Sequence, residues 1–139
     1  MNLLNNIALT AKKVLADEAE AIARLADFID EGFENCVKAI LNIKGRVVVT
    51  GIGKSANIAG KIVATLNSTG TPALFMHAAD AIHGDLGMIQ PDDFVICISK
   101  SGNTPEIKVL VPLLKRKVPN WRLLFRAQIH IWPRALISC

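Results

Sequence analysis

Two short stretches rich in glycine and hydroxyl groups hold the residues best suited to chemistry in this 139-residue chain. They are Gly51-Ile-Gly53-Lys54-Ser55-Ala56 and Ser99-Lys100-Ser101-Gly102-Asn103-Thr104-Pro105-Glu106. In the first, glycines let the backbone approach an anion, and the helical pattern that follows offers N–H groups and the positive end of a dipole. In the second, three hydroxyls around a glycine open another helical pattern and supply donors for phosphate oxygens without committing a fixed charge. Thr104 alone would serve as a plain N-cap, with Glu106 in the first turn. The whole cluster, beside a second glycine loop, points instead to a bound anion of phosphate type.

The first stretch is not a Walker loop, because the glycine which that motif places five residues before Gly53 is Val48 here. It does fit G-x-G-x-x-A, the dinucleotide fingerprint. That reading also asks for an acid about 20 residues further on, at the end of the next strand, to hold a ribose. Met76-His77 stand there, and Asp80 comes too late. Between the two stretches lie Ser68-Thr69-Gly70-Thr71-Pro72, then His77, then His83-Gly84-Asp85-Leu86-Gly87. A lone histidine is more often structural than catalytic. Two of them flanking one strand-end loop are acid–base candidates, since imidazole titrates near neutral pH.

These loops need elements to position them. Residues 15–41 read as helix, with Leu15, Ile22, Leu25 and Ile29 on one stripe and Phe33, Val37, Ile40 and Leu41 on a second. Gly32 and the acids around it suggest a break between two helices. Gly45 stops the pattern, and residues 46–50 (RVVVT) form a β-branched run of the kind buried on both faces of a parallel sheet. Residues 55–68 read as a crossover helix, 72–76 as a second strand, 94–99 as a third, and 105–117 as a helix with proline in its first turn. Strands alternating with helices predict a doubly wound α/β parallel sheet, which binds ligands at the carboxyl ends of its strands.

Composition narrows the class. About half the residues are apolar, 20% are charged and 5% are aromatic, as in soluble globular proteins. No apolar run approaches the roughly 20 residues that would span a bilayer. The N-terminal lysines follow a short apolar stretch, the reverse of a secretory signal, so a cytoplasmic location is expected and no membrane partner. Cys36, Cys97 and Cys139 have no metal-ligand spacing, and Cys36 and Cys97 read as small core residues. Arg122, Arg126 and Arg134 supply three of the +4 net charge, leaving +1 elsewhere, and the other cations are mixed with acids. Nucleic acid is therefore not an expected partner.

Taken together, GIGKS, STGTP, the histidines of FMHAADAIHGDLGM, and SKSGNTPEI resemble the sugar isomerase (SIS) domain, and more closely the arabinose-5-phosphate isomerase family. The resemblance runs from the helical lead-in to about Val118. It implies a flavodoxin-like three-layer sandwich with a parallel five-stranded sheet, usually in a homotetramer, with 1–45 as helical lead-in and 46–119 as a partial SIS domain. It implies an aldose–ketose isomerase that interconverts ribulose 5-phosphate and arabinose 5-phosphate and feeds synthesis of Kdo, the eight-carbon acid sugar of lipopolysaccharide and capsule. Carried over by position, Lys54 and Glu106 match catalytic residues. Gly70, Thr71, His77 and His83 match substrate contacts, and residues 109–118 line the same site. Ser55, Ser99, Ser101 and Thr104 match phosphate-holding hydroxyls, with Gly102 in their loop. His83 stands as a further acid–base candidate, and the only metal contact implied is zinc at His77, no cofactor being required. A non-catalytic sugar-phosphate-sensing module is the alternative, since the domain also occurs in transcriptional regulators. The lead-in, acidic through Asp17, Glu18, Glu20, Asp27, Asp30, Glu31 and Glu34, argues against a basic DNA-reading helix there.

After Pro119 the resemblance ends. The family enters a fourth buried strand, whereas residues 120–139 (NWRLLFRAQIHIWPRALISC) scatter arginines and tryptophans that should interrupt one. Codons compatible with this tail, read in shifted frame, permit Leu-Ala, an apolar run, Ser-Gly, Asn-Pro-Tyr-Leu-Ala and Asp-Phe-Val, close to the family pattern. The tail is therefore read as an out-of-frame translation. A later catalytic glutamate and histidine implied by the family have no counterpart, so the chain is expected to be a fragment of the enzyme, incomplete at its C-terminus.

Overall fold

A computed structural model describes residues 3–118, 121–125 and 128–130. The chain divides into two compact units, Met1–Asp30 and Glu31–Cys139. The first contains helix α1 (Leu3–Ala23) and a 3-10 turn (Arg24–Phe28). Helix α1 begins twelve residues before the apolar stripe used to find it. Its large apolar side chains Ile7, Leu9, Val14, Leu15 and Ile22 are exposed.

The second unit is a doubly wound sheet. Helix α2 (Glu31–Leu41) leads into strand β1 (Val47–Gly51), followed by α3 (Lys54–Ser68), β2 (Ala73–His77), α4 (Ala78–Ile82), β3 (Phe94–Ile98), α5 (Pro105–Lys117), β4 (Trp121–Phe125) and β5 (Gln128–His130). The break between the lead-in helices falls at Ile29 and Asp30 rather than at Gly32, which sits in the first turn of α2. The sheet order is β2-β1-β3-β4-β5. Strands β1 to β4 are parallel, and β5 returns antiparallel to β4. The doubly wound parallel sheet expected from the sequence is present, with β5 as a short antiparallel strand at its edge.

The expected interruption after Pro119 is also corrected. Residues 121–125 pair with β3 as a parallel strand, and Trp121 is buried with Leu114 and Val118. A tryptophan entering from the helix side fills the core instead of breaking the ladder, and the Lys115 ammonium lies 6.0 Å from its ring. The rest of the segment expected to be out of frame, at 120, 126–127 and 131–139, lies outside the described residues.

Strand β1 is buried along its whole length because both sheet faces are covered. Val47 and Val49 pack with Cys36 of α2, Ala59 and Val63 of α3, Phe94 and Ile96. Val48 packs on the other face with Met76, Val95, Cys97, the alanines of α4 and Ile107, Leu110 and Leu114 of α5. Among the described residues Cys36 and Cys97 are both buried, and burial pushes the Cys97 thiol up to about 12. At the outer edge of β2, the Asn67 amide accepts from the Ala73 N–H at 2.8 Å and donates to the Ala73 carbonyl at 3.1 Å, occupying exposed edge backbone.

One ion pair fixes the amino ends of β1 and β3. Asp93 is 1% exposed, and its carboxylate accepts from the Arg46 N–H at 2.8 Å, Arg46 Nη2 at 2.9 Å and the Gln90 N–H at 2.9 Å. Burial alone would raise this carboxyl, but the Arg46 side chain and those two backbone donors outweigh it and hold it below the usual range. A depressed carboxyl stabilises the fold above its unfolded value and loses that contribution as pH falls through the folded one. Because the Arg46 side chain is 39% exposed, solvent tempers the Coulomb attraction. Asp93→Asn is expected to lower stability at pH 7 by about 1–3 kcal/mol through weakened charged hydrogen bonds. Urea unfolding at pH 7 and at pH 3 checks this: the gap to wild type should narrow at low pH, and an unchanged gap would show that the charge contributes nothing.

Candidate functional site

Strands β2, β1 and β3 end level. Gly51 of β1 stands opposite His77 of β2 on one side and Ile98 of β3 on the other. The loops after β1, β2 and β3 therefore leave the sheet side by side. In a sheet of order 2-1-3-4, connections from β1 and β3 depart to opposite faces, and the crevice between them is where such sheets bind ligands. The Gly51–Ala56 stretch and the 99–104 turn flank that crevice.

Gly51 is required by close approach. A Cβ there would lie 3.0 Å from both the carbonyl carbon and oxygen of Ser55, tighter than ordinary contact. Gly53 precedes α3 with a φ of +57° and offers no capping side chain. Lys54 is thus the first residue of α3, and the first turn carries no acid. A cation at a helix N-terminus opposes the dipole, so helix stability does not account for its presence. Ser55, half-buried, follows it.

The turn after β3 is closed by its own hydroxyls. Ser99 Oγ accepts the Gly102 N–H at 3.0 Å, and Ser101 Oγ accepts the Asn103 N–H at 3.2 Å. Each serine keeps its own O–H free in principle to donate, since a hydroxyl is donor and acceptor at once. Thr104 is the N-cap residue of α5, with extended backbone, yet its side chain makes no capping bond. Its Oγ1 is buried without a hydrogen-bond partner among the described residues. The plain-cap explanation of Thr104 therefore fails. Pro105 occupies the first turn of α5, and Glu106, half-buried, follows it.

An open cleft of about 840 Å³ lies between α3 and β2, lined by Gly53, Lys54, Ala56, Asn57, Gly60, Phe75 and His77. It brings Lys54 and His77 together, one strand away from the 99–104 turn. Asn57 and Phe75 were not singled out from the sequence. Helical spacing from Lys54 and strand alternation from His77 are the signals that place them. The His77 ring meets Phe75 edge-on, with centroids 6.4 Å apart, and its Nδ1 lies 3.7 Å from Asp80 Oδ2. Zinc needs three or four protein donors, and among the described residues no group of three or more His, Cys, Asp or Glu could hold a metal. His77 with Asp80 does not by itself fit the zinc contact that the resemblance implied.

The other expected contacts are not gathered here. His83 is exposed at the end of α4, its N–H bonded to the Asp80 carbonyl at 3.0 Å, and it does not line the cleft. Gly70 and Thr71 precede β2, at the opposite end of the strands from Gly51, His77 and Ser99. Gly70, with φ of +90°, donates to the Asn67 carbonyl and Thr71 to the Leu66 carbonyl, the paired bonds of a Schellman motif. Within one chain, helix termination accounts for both residues.

Fold and loops together define a doubly wound α/β domain with two glycine- and hydroxyl-rich loops at one end of its strands. The SIS domain model matches residues 40–121, which include both loops, and the chain belongs to the SIS domain family. It is 52% identical over 106 residues to the arabinose 5-phosphate isomerase KdsD of Yersinia pestis, a match covering 76% of this chain and 32% of that protein. It is 48% identical over 107 residues to the arabinose 5-phosphate isomerase KpsF of Escherichia coli O6:H1 strain CFT073, covering 76% of this chain and 33% of that one. The chain thus spans about a third of the length of these curated relatives. Among solved structures, the complex of the E. coli CFT073 protein c3406 with arabinose 5-phosphate superposes with a TM-score of 0.81 at 42% identity, covering 91% of this chain and 66% of that one.

Since Gly51 sits where α3 crosses the strand end, Gly51→Ala should displace the first turn of α3. Overpacking of this kind costs about 1–3 kcal/mol. A melting temperature equal to wild type would show that the crossing has slack.

Proposed function

We propose that this domain is the sugar-phosphate-binding core of an aldose–ketose isomerase that interconverts ribulose 5-phosphate and arabinose 5-phosphate. The observation that carries the reading is the buried, unpartnered Thr104 hydroxyl in a serine turn at the switch point of the sheet. It suits a phosphate whose oxygens need donors and no fixed countercharge. The relatives named arabinose 5-phosphate isomerase support the substrate, and their assignment to Kdo synthesis would follow from it.

The reaction removes a proton from C1 of the ketose, passes through an enediolate and returns a proton to C2. It is redox-neutral, so neither a nicotinamide nor a metal is needed for electron balance. Glu106, at the start of α5 beside the phosphate turn, is the proposed proton carrier. Lys54 supplies a fixed positive charge across the crevice for the enediolate oxygens. Ser55, Ser99, Ser101, Gly102 and Thr104 hold the phosphate, and His77 lines the approach from the neighbouring cleft. His83, Gly70 and Thr71 would reach a substrate only in a larger assembly. The exposed apolar side chains of α1 support a homo-oligomer, a tetramer being the family's form. No helix among the described residues is long and apolar enough to cross a membrane, and we place the protein in the cytoplasm. Residues 120–139 are proposed to be out of frame, which nucleotide sequencing across codons 115 to 139 tests.

Two measurements check the function. Ribulose 5-phosphate should be converted to arabinose 5-phosphate by a version with its frame restored after Pro119, assayed beside the 139-residue chain. In the active form, Lys54→Ala should lower kcat by roughly 100-fold or more, as losing one preorganised charge-stabilising group does, with little change in KM. An unchanged kcat removes Lys54 from the mechanism. Sugar-phosphate binding with no turnover in either version would favour the sensing module.

A further inference from the structure

A second hydroxyl lies beneath the phosphate turn and has no assigned role. Thr50 is fully buried in β1, and its Oγ1 has no hydrogen-bond partner among the described residues. Strand alternation puts its side chain on the same face as Val48, the face covered by α4 and α5. The register sets Thr50 beside Cys97, two residues before Ser99 on that same face. Ser99 is 5% exposed and anchors the turn that ends in Thr104. Two buried hydroxyls without partners among the described residues thus lie near the same strand ends: Thr50 Oγ1, one residue before the end of β1, and Thr104 Oγ1, at the start of α5 in the loop that Ser99 opens.

A purely structural threonine at this place is hard to justify. Valine has the same shape, suits a buried parallel strand better, and leaves no polar atom unsatisfied. Cys97 gives no strong partner, since burial keeps its thiol neutral and a thiol is only a weak donor and acceptor. Each unpaired buried group in a native fold asks for an explanation, and a binding role is one that fits here.

We propose that Thr50 is a positioning residue of the anion site. When an oxyanion sits on the 99–104 turn, Thr104 donates its O–H to the anion. Thr50 then donates to Thr104 through one bridging water, fixing the hydroxyl in the orientation that serves the ligand. This inference rests on the phosphate-site reading above and adds a residue from inside the sheet to it. No bond is made or broken. The relay only orients a donor.

The test uses the 139-residue chain, with inorganic phosphate and arabinose 5-phosphate as probes in calorimetric titration, and thermal unfolding measured alongside. Thr50→Val removes the hydroxyl at constant shape and should weaken both ligands by roughly five- to tenfold, the factor expected for one hydrogen bond to a charged ligand. Its melting temperature should be equal to or above wild type. Thr50→Ser keeps the hydroxyl and loses the methyl, so it should melt lower yet bind within about twofold of wild type. A Thr50→Val chain that binds as tightly as wild type overturns the proposal. A Thr50→Ser chain that loses binding along with stability also overturns it, because packing alone would then explain the effect. If the wild-type chain binds neither probe, the phosphate-site reading fails first and takes this one with it.

Discussion

The geometry of the site depends on a contact at the far end of the sheet. Arg46 and Asp93 pin the amino ends of β1 and β3 against one another through two backbone hydrogen bonds and a charged pair. Register in a parallel sheet has no hairpin to fix it, and a slip of one residue would turn every side chain to the other face. The pair prevents that slip where the strands begin. Gly45 belongs to the same device, because a Cβ at that position would meet the Asp92 carbonyl at 2.6 Å and the Asp93 carboxylate at 2.7 Å. With the register set, Gly51 and Ile98 must end level five residues later, and the two anion loops must emerge as neighbours. An ion pair with no chemistry of its own thereby decides where the chemistry can be.

From that level edge, two helices approach at their amino ends by different means. Helix α3 comes close because Gly51 has no side chain to hold off Ser55, and it carries a cation in its first turn. Helix α5 starts with proline and an acid, the ordinary signals of a helix start, behind a turn closed by serine hydroxyls. The site is therefore asymmetric. The Lys54 cation is on the α3 side of the crevice, and the hydroxyl donors are on the α5 side with Lys100 and Glu106 beside them. A phosphate is well served by neutral donors and helix ends, which bind without immobilising every oxygen in a bidentate fork. The developing enediolate is where a point charge helps most, since transition-state charge is what a preorganised cation stabilises.

Much of this was legible in the residues themselves. Residues 46–50, 94–99 and 105–117 announced their elements because β-branched runs and a proline at a helix start are local signals. The two loops were legible because glycines and hydroxyls at strand ends have few other uses. What the sequence hid depends on packing at a distance. The orphaned hydroxyl of Thr104 is visible only once α5 is placed and its capping bond is seen to be missing. Thr50 looked like the last residue of a buried strand, and nothing in a run of three valines and a threonine marks it. Gly70 and Thr71 misled for the opposite reason: their motif is specific, yet in one chain it is spent on ending α3. The strand at 121–125 was missed because Trp121 was judged by its type, while its place at the end of α5 gives it a core to enter.

The cleft beside β2 and the crevice between β1 and β3 compete as the place of binding, and topology decides between them. The cleft is an open space of about 840 Å³, but it lies beside the edge strand β2 and holds one cation and one imidazole. The crevice lies where helices leave for opposite faces, and two helix starts and a serine turn flank it. A phosphate gains most where several donors converge, so its place is the crevice. A five-carbon chain extended from a phosphate held there has only two directions to run, outward to solvent or across Lys54 toward His77. On the proposed function, the second keeps the reacting carbons beside the Lys54 cation. On the function proposed above, the cleft is the sugar's side of the same site, which Asn57 and Phe75 share with Lys54 and His77.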